Sequence, residues 1–281
     1  MTNLNDHSDV QEGYSKTGKK LGMYIYVLPN LMTTANLFCG FFSIVQSIQG
    51  DFKLAAYAVV AAAIFDLLDG RLARLTHATS KFGAEYDSLC DLVSFGLAPG
   101  LLMFQWALAP FGRLGWLAAF LYVACTALRL ARFNVQVGVV EKNYFQGLPS
   151  PMAAGIVASS YVAFADLGWA EPIDIQAKGL LFMVMLLGIV MVSNFRYRSF
   201  KDLDLKERLP FKYLIIGVII IFLVALRAEV MLFVLFLTYA LLGAIFGILR
   251  IGKKQKQIKA SVYAPAGTNE NDLQEEDEDQ D

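Results

Sequence analysis

Ala61-Ala-Ala-Ile-Phe-Asp66-Leu-Leu-Asp69-Gly70-Arg-Leu-Ala73-Arg74 closes one apolar run, and Lys81-Phe-Gly83-Ala-Glu-Tyr-Asp87-Ser-Leu-Cys-Asp91 leads into the next. Gaps of three and four residues put Asp66 with Asp69, and Asp87 with Asp91, on one face of a helix each. Two adjoining helices can therefore turn four carboxylates toward one another. An ionised aspartate at the centre of a bilayer costs about 2.5–3.5 kcal/mol, so four central, unpaired ones would approach roughly 10–14 kcal/mol. The acids lie within roughly two to three turns of the polar link between the runs, at ~1.5 Å per residue, which lowers that cost but leaves their mutual repulsion. Hard oxygen donors with no Cys or His at ligand spacing suit Mg²⁺ or Mn²⁺ rather than zinc, and a pair of such ions suits phosphoryl chemistry. The alternative is that the acids protonate or form buried ion pairs with Arg71, Arg74 and Arg129.

Working outward, 56% of the 281 residues are hydrophobic and 17% are charged, a composition of the membrane class. Apolar runs at 31–50, 54–70, 82–108, 114–128, 152–165, 179–195, 213–226 and 230–249 predict an all-α integral membrane protein of about eight transmembrane helices. With the N-terminus cytoplasmic, eight crossings leave 20 Lys and Arg on the cytoplasmic side. Only Lys53, Arg113, Lys178 and Arg227 fall on the other, the asymmetry expected when both termini are inside. The net charge of −1 conceals a basic body, because eight acids lie between Glu270 and Asp281 and the rest of the chain carries +7.

The chain divides into a polar cytoplasmic segment at 1–20, a transmembrane catalytic domain at 21–252 and a tail at 253–281. That tail is basic and then acidic, and its composition predicts disorder. The polar start lacks the apolar stretch of a cleaved signal peptide, and residues 21–28 read as an interfacial segment or a linker before the first span. Cys39, Cys90 and Cys125 fall singly in apolar runs and read as buried fillers. No repeat suggests an inverted-repeat transporter, and no nucleic-acid partner is expected. Gly70 and Gly83 leave room for a ligand's phosphates or base to approach the backbone, or for helix packing. Arg74 has the fork geometry for a phosphate, or marks the cytoplasmic edge.

The stretch Asp66-x2-Asp69-Gly70-x2-Ala73-Arg74-x8-Gly83-x3-Asp87-x3-Asp91 resembles the signature of the CDP-alcohol phosphotransferase family at all eight fixed positions. That resemblance implies a six-helix catalytic core, here with two further helices, and two metal ions held by Asp66, Asp69, Asp87 and Asp91. It also implies a cytidine-nucleotide site lined by Gly70, Ala73, Arg74 and Gly83, with Asp91 as general base, and a homodimer. Leu28-Pro-Asn30-Leu-Met-Thr33-Thr-Ala-Asn36-Leu-Phe-Cys-Gly40 is similar to the first-helix motif of the bacterial serine-accepting branch, which adds Thr33 to the expected nucleotide site. Arg129-Leu-Ala-Arg132-Phe-Asn134, Phe145-Gln-Gly147-Leu-Pro149-Ser-Pro151 and Val192-Ser-Asn-Phe-Arg196-Tyr-Arg-Ser-Phe200-Lys201 resemble the same branch.

The activity so implied is transfer of a phosphatidyl group from CDP-diacylglycerol to the hydroxyl of L-serine, releasing CMP. The expected place is the bacterial inner membrane, with the active site near the cytoplasmic face and membrane lipids around it. Arg129 and Arg132, with Asn134 nearby, are candidate partners for the serine carboxylate or simply inner-edge anchors. Glycerol 3-phosphate, inositol or inositol phosphate as acceptor remain alternatives, as does a membrane transporter. A second route to the same product resembles phospholipase D and needs H-x-K-x4-D histidines. His7 and His77, the two histidines here, do not lie in that pattern.

Overall fold

The computed structural model describes residues 6–75, 80–136, 144–171, 174–193, 196–198, 217 and 227–263. Among these are seven helices: α1 (Asp6–Gln49), α2 (Phe52–Leu75), α3 (Lys81–Phe111), α4 (Arg113–Gln136), α5 (Ser150–Asp166), α6 (Asp174–Val192) and α7 (Ala228–Tyr263). Five helical stretches are long and apolar enough to cross a membrane: Leu28–Gln49, Lys81–Phe111, Arg113–Val135, Asp174–Val192 and Ala228–Ile245. The chain is thus a helical integral membrane protein, its described residues helical apart from links and one short ribbon, and α2 and α5 pack among those five. The expected span at 213–226 lies outside the described residues, apart from 217.

The sequence reading divides the chain at residue 20, yet the backbone of α1 runs helically through that point and keeps Pro29 inside. Proline removes one donor from a helix and crowds the carbonyl four residues before it. Just beyond it, Thr33 Oγ1 donates to the Pro29 carbonyl (3.1 Å) and Thr34 Oγ1 to the Asn30 carbonyl (2.7 Å). At the far end, Gly50 adopts a positive φ of 82° to reverse the chain, and Asp51 caps α2 by accepting from the Leu54 N–H (3.0 Å). α7 likewise continues to Tyr263, past the division at 252, and residues from 264 onward lie outside the described ones.

Small residues let the helices approach closely, the usual device where lipid removes the hydrophobic drive between helices. Ala55, Ala56, Val59 and Ala62 of α2 pack with Phe95, Ala98 and Leu102 of α3 and with Ala154 and Ala158 of α5. A larger core joins Met103, Trp106 and Leu108 of α3 to Tyr122 and Cys125 of α4, Ile156 of α5 and Val184 of α6. Where α1 crosses α3, a Cβ on Gly40 would lie 2.7 Å from the Ser94 Cα, so only glycine fits. α3 is not a uniform helix: Lys81–Asp91 and Ala98–Met103 are α-helical, whereas Leu92–Leu97 and Phe104–Leu108 are π-helical. The first π turn begins right after Asp91, and the Tyr122 hydroxyl donates to its Phe95 carbonyl (3.0 Å).

One feature departs from the all-α expectation. Tyr144–Gln146 (β1) pairs antiparallel with Arg196–Arg198 (β2), in the register Tyr144 to Arg198 and Gln146 to Arg196. This ribbon joins the segment before α5 to the one after α6, and all of it but Tyr144 lies within stretches quoted above for their resemblance. The cysteines are free, Cys90 and Cys125 buried and Cys39 half-buried.

Candidate active site

The C-terminal half of α2 and the first turns of α3 bring the acids together. One carboxylate oxygen from each of Asp66, Asp69 and Asp87 lies within 4.8 Å of the other two. Ser80 starts α3 as its N-cap, its hydroxyl accepting from the Gly83 N–H (2.9 Å), and so fixes where Asp87 enters the site. Asp69 Oδ2 and Asp87 Oδ1 are both buried and have no hydrogen-bond partner. Buried carboxylate oxygens without a donor are strongly unfavourable unless a cation meets them. The donor set therefore fits a hard divalent ion, and among the described residues no Cys or His belongs to it. Asp91 is not one of these three. It lies one turn further along α3, 8% exposed, within electrostatic reach of Asp66 and Asp87.

The other expected residues fall around this centre. Gly70, Ala73 and Arg74 follow Asp69 on the last turns of α2, where Arg74 Nε donates back to the Gly70 carbonyl (2.7 Å). Among the described residues, a Cβ on Gly70 would meet nothing nearer than Arg74 Nη2 at 4.0 Å, so their packing does not use that space. Gly83 is tighter, 3.1 Å from Ser80 Oγ and 3.5 Å from Asn30 Oδ1 by the same construction. Thr33, 4% exposed, lies against the Asp69 carboxylate. Thr34 Oγ1 and the Tyr86 hydroxyl share a hydrogen bond (3.0 Å) that ties α1 to α3 beside the acids.

Arg129, Arg132 and Asn134 have different surroundings. The Arg129 guanidinium is 8% exposed and within electrostatic reach of Asp91. Its Nη1 donates to Ser150 Oγ (2.9 Å), and its Nε is buried with no partner. Arg132 turns to the end of α6, donating to the carbonyls of Val192 (2.8 Å), Ser193 (3.3 Å) and Met191 (3.5 Å), which no longer find partners within the helix. Gly147, with φ of 76°, leaves room for this cap, since a Cβ there would collide with the Met191 carbonyl. Asn134 bridges α4 to α3, accepting from Ser88 Oγ (3.1 Å) and donating to Glu85 Oε2 (3.3 Å).

Sequence reasoning quoted Asn36 but gave it no role. In the structure its side chain is fully buried, and Nδ2 donates to Asp91 Oδ1 (3.0 Å). The available signal was the spacing of Thr33, Asn36 and Gly40, which places three non-aliphatic residues along one face of an apolar helix.

A helical bundle with a carboxylate cluster where the end of α2 meets the start of α3 is the setting these motifs require. The chain belongs to the CDP-alcohol phosphatidyltransferase family, whose sequence profile matches residues 26–194. Among its relatives, it is 38% identical over 227 residues to the CDP-diacylglycerol–serine O-phosphatidyltransferase of Helicobacter pylori, covering 81% of this chain and 94% of that one. It is 36% identical over 183 residues to the archaetidylserine synthase of Methanothermobacter thermautotrophicus, covering 64% and 72%. A further relative is the CDP-diacylglycerol–serine O-phosphatidyltransferase of Saccharomyces cerevisiae, 35% identical over 182 residues, with 58% and 59% covered.

Proposed function

We propose that this protein is a CDP-diacylglycerol–serine O-phosphatidyltransferase that works in the bacterial inner membrane with its active site near the cytoplasmic face. The observation that carries the reading is the trio of carboxylate oxygens within 4.8 Å, on residues of the family signature. Near-complete coverage of a serine-using relative supports serine as the acceptor. The 20 to 4 asymmetry of Lys and Arg supports cytoplasmic termini and a cytoplasmic-side site.

In this reading Asp66, Asp69 and Asp87, with Asp91 at the edge, hold two ions, Mg²⁺ or Mn²⁺. Such ions, when bound, neutralise a pyrophosphate and stabilise the departing CMP. Thr33, Gly70, Ala73, Arg74 and Gly83 line the nucleotide, and the open space at Gly70 supports that role. Asp91 accepts the proton of the serine hydroxyl as that oxygen bonds to the lipid-side phosphorus. The bond from phosphorus to the CMP oxygen breaks, and CMP leaves with the electron pair, so no covalent enzyme intermediate forms. Arg129 takes the serine carboxylate, supported by its unused buried donor beside Asp91. Arg132 and Asn134 complete that wall by holding α4 to α6 and α3. The resemblance to the family supports a homodimer.

The test is CMP release by purified protein given CDP-diacylglycerol, Mg²⁺ or Mn²⁺, and a panel of L-serine, glycerol 3-phosphate and inositol. Release that depends on metal and on serine alone is expected. Release driven by another alcohol would replace the acceptor assignment, and none with any alcohol would remove the enzymatic reading.

A further inference from the structure

Asn36 is hydrogen-bonded to Asp91, Arg129 lies within electrostatic reach of the same carboxylate, and each keeps one hydrogen-bonding atom unused. Asn36 is fully buried and Arg129 is 8% exposed. Asn36 Oδ1 has no partner, and neither has Arg129 Nε. The two orphans are of opposite kind, one acceptor and one donor. A buried polar atom left unpaired costs about 1–3 kcal/mol, so two on residues that act on the same carboxylate call for an explanation.

The orientation of the Asn36 amide follows from chemistry. An ionised carboxylate only accepts hydrogen bonds, so the amide must present Nδ2 to Asp91 Oδ1, as it does at 3.0 Å, which turns Oδ1 elsewhere. The nearby groups cannot serve that oxygen. Asp66, Asp69, Asp87 and Asp91 are themselves acceptors. The Thr33 hydroxyl donates to the Pro29 carbonyl, and the Ser94 hydroxyl donates to the backbone carbonyl of Asn36 (3.0 Å). On the other side, Arg129 Nη1 is spent on Ser150 Oγ, while Nε stays free. A bound molecule with one donor and one acceptor can complete both atoms.

We propose that Asn36 is a specificity-determining residue: its Nδ2 holds Asp91 while its free Oδ1 accepts a hydrogen bond from the α-ammonium of the acceptor. The free Nε of Arg129 meets the carboxylate of the same molecule. This rests on the serine-transfer reading and deepens it. A zwitterion carries both complements on one carbon, and the surrounding carboxylates favour its positive charge. Glycerol 3-phosphate and inositol phosphate bring anions for Arg129 but only neutral hydroxyl donors for Asn36, so the site favours the ammonium by the strength of a charge-assisted bond.

The full-length protein in detergent, saturated with Mg²⁺, tests this with three molecules: L-serine, 3-hydroxypropionate, which lacks the ammonium, and ethanolamine, which lacks the carboxylate. KM for serine and inhibition constants for the other two are compared between the wild type, Asn36→Ala and Arg129→Gln. Asn36→Ala is expected to weaken serine and ethanolamine roughly 10- to 150-fold while leaving 3-hydroxypropionate within about 2-fold. Arg129→Gln should weaken serine and 3-hydroxypropionate and spare ethanolamine. Asn36→Ser serves if the alanine variant is not recovered folded. Equal weakening of all three ligands by the Asn36 variants would mean that the residue only positions Asp91, and the proposal falls. A higher Mg²⁺ requirement with unchanged ligand discrimination would make Oδ1 a metal ligand and overturn it equally. If the wild type releases no CMP in response to serine, the underlying reading fails first, a result visible before any variant is made.

Discussion

Asp66, Asp69 and Asp87 each give one oxygen to the same small volume, so loss of any one leaves two like charges facing each other with an incomplete donor set. Asp66→Ala, Asp69→Ala or Asp87→Ala should abolish CMP release and weaken metal binding, and chelation of the wild type should do the same; isothermal titration with Mn²⁺ alongside the activity assay checks both. Asp91→Asn keeps the shape but cannot take a proton. With metal saturating, its turnover should fall by about 10²- to 10⁴-fold, the range general-base catalysis contributes, while binding of CDP-diacylglycerol changes less than in Asp69→Ala. The two arginines should separate. Arg129→Ala raises the KM for serine by roughly 10- to 150-fold, whereas Arg132→Ala, which strips a helix cap, shows first in thermal unfolding. The aspartates were legible from sequence because a charge in an apolar helix is an anomaly that invites a partner. Asn36 was not, since a neutral amide creates no such anomaly and its partner lies 55 residues away. Arg132 and Arg129 looked alike in sequence for a related reason: only the path of α6 decides which carbonyls need a donor.

At the scale of elements, the crossing of α1 over α3 carries the site. Ser94 lies three residues beyond Asp91, its hydroxyl bonded to the Asn36 carbonyl and its Cα against Gly40. A methyl group at Gly40 must push these helices apart. Gly40→Ala should therefore cost about 1–3 kcal/mol of stability by overpacking and also slow turnover, because the Asn36 contact to Asp91 spans the same crossing. Thermal unfolding and CMP release on one preparation check the pair of effects. The helices themselves were readable from runs of apolar residues, since only a helix or closed barrel satisfies its backbone in lipid. The π turns of α3 were not, because their sequence, Leu92 to Leu97, is ordinary apolar helix and the extra residue per turn answers to contacts such as Tyr122 with Phe95. The ribbon of β1 and β2 was equally hidden, as it pairs two three-residue strands separated by α5 and α6.

For the whole molecule, the charge asymmetry makes an orientation testable without activity. A membrane-impermeant maleimide should label Lys178→Cys in intact spheroplasts but reach Lys81→Cys only after lysis, and the reverse pattern would invert the bundle. Removing residues 264–281 should leave CMP release largely intact, since the family match ends at 194 and that segment's composition buries no core. The residues between the acids open to the outside. Leu67 and Leu68, between Asp66 and Asp69 in sequence, are 61% and 41% exposed on the outside of the bundle. A substrate with two acyl chains can thus meet the carboxylates by sliding sideways within its own layer, so the quantity that governs its capture is its mole fraction in that layer, not its molarity in the tube. Added inert detergent at fixed lipid molarity should slow the enzyme, and added buffer at fixed lipid-to-detergent ratio should leave the rate per protein unchanged. Two leucines between two aspartates thereby make the kinetics those of a surface.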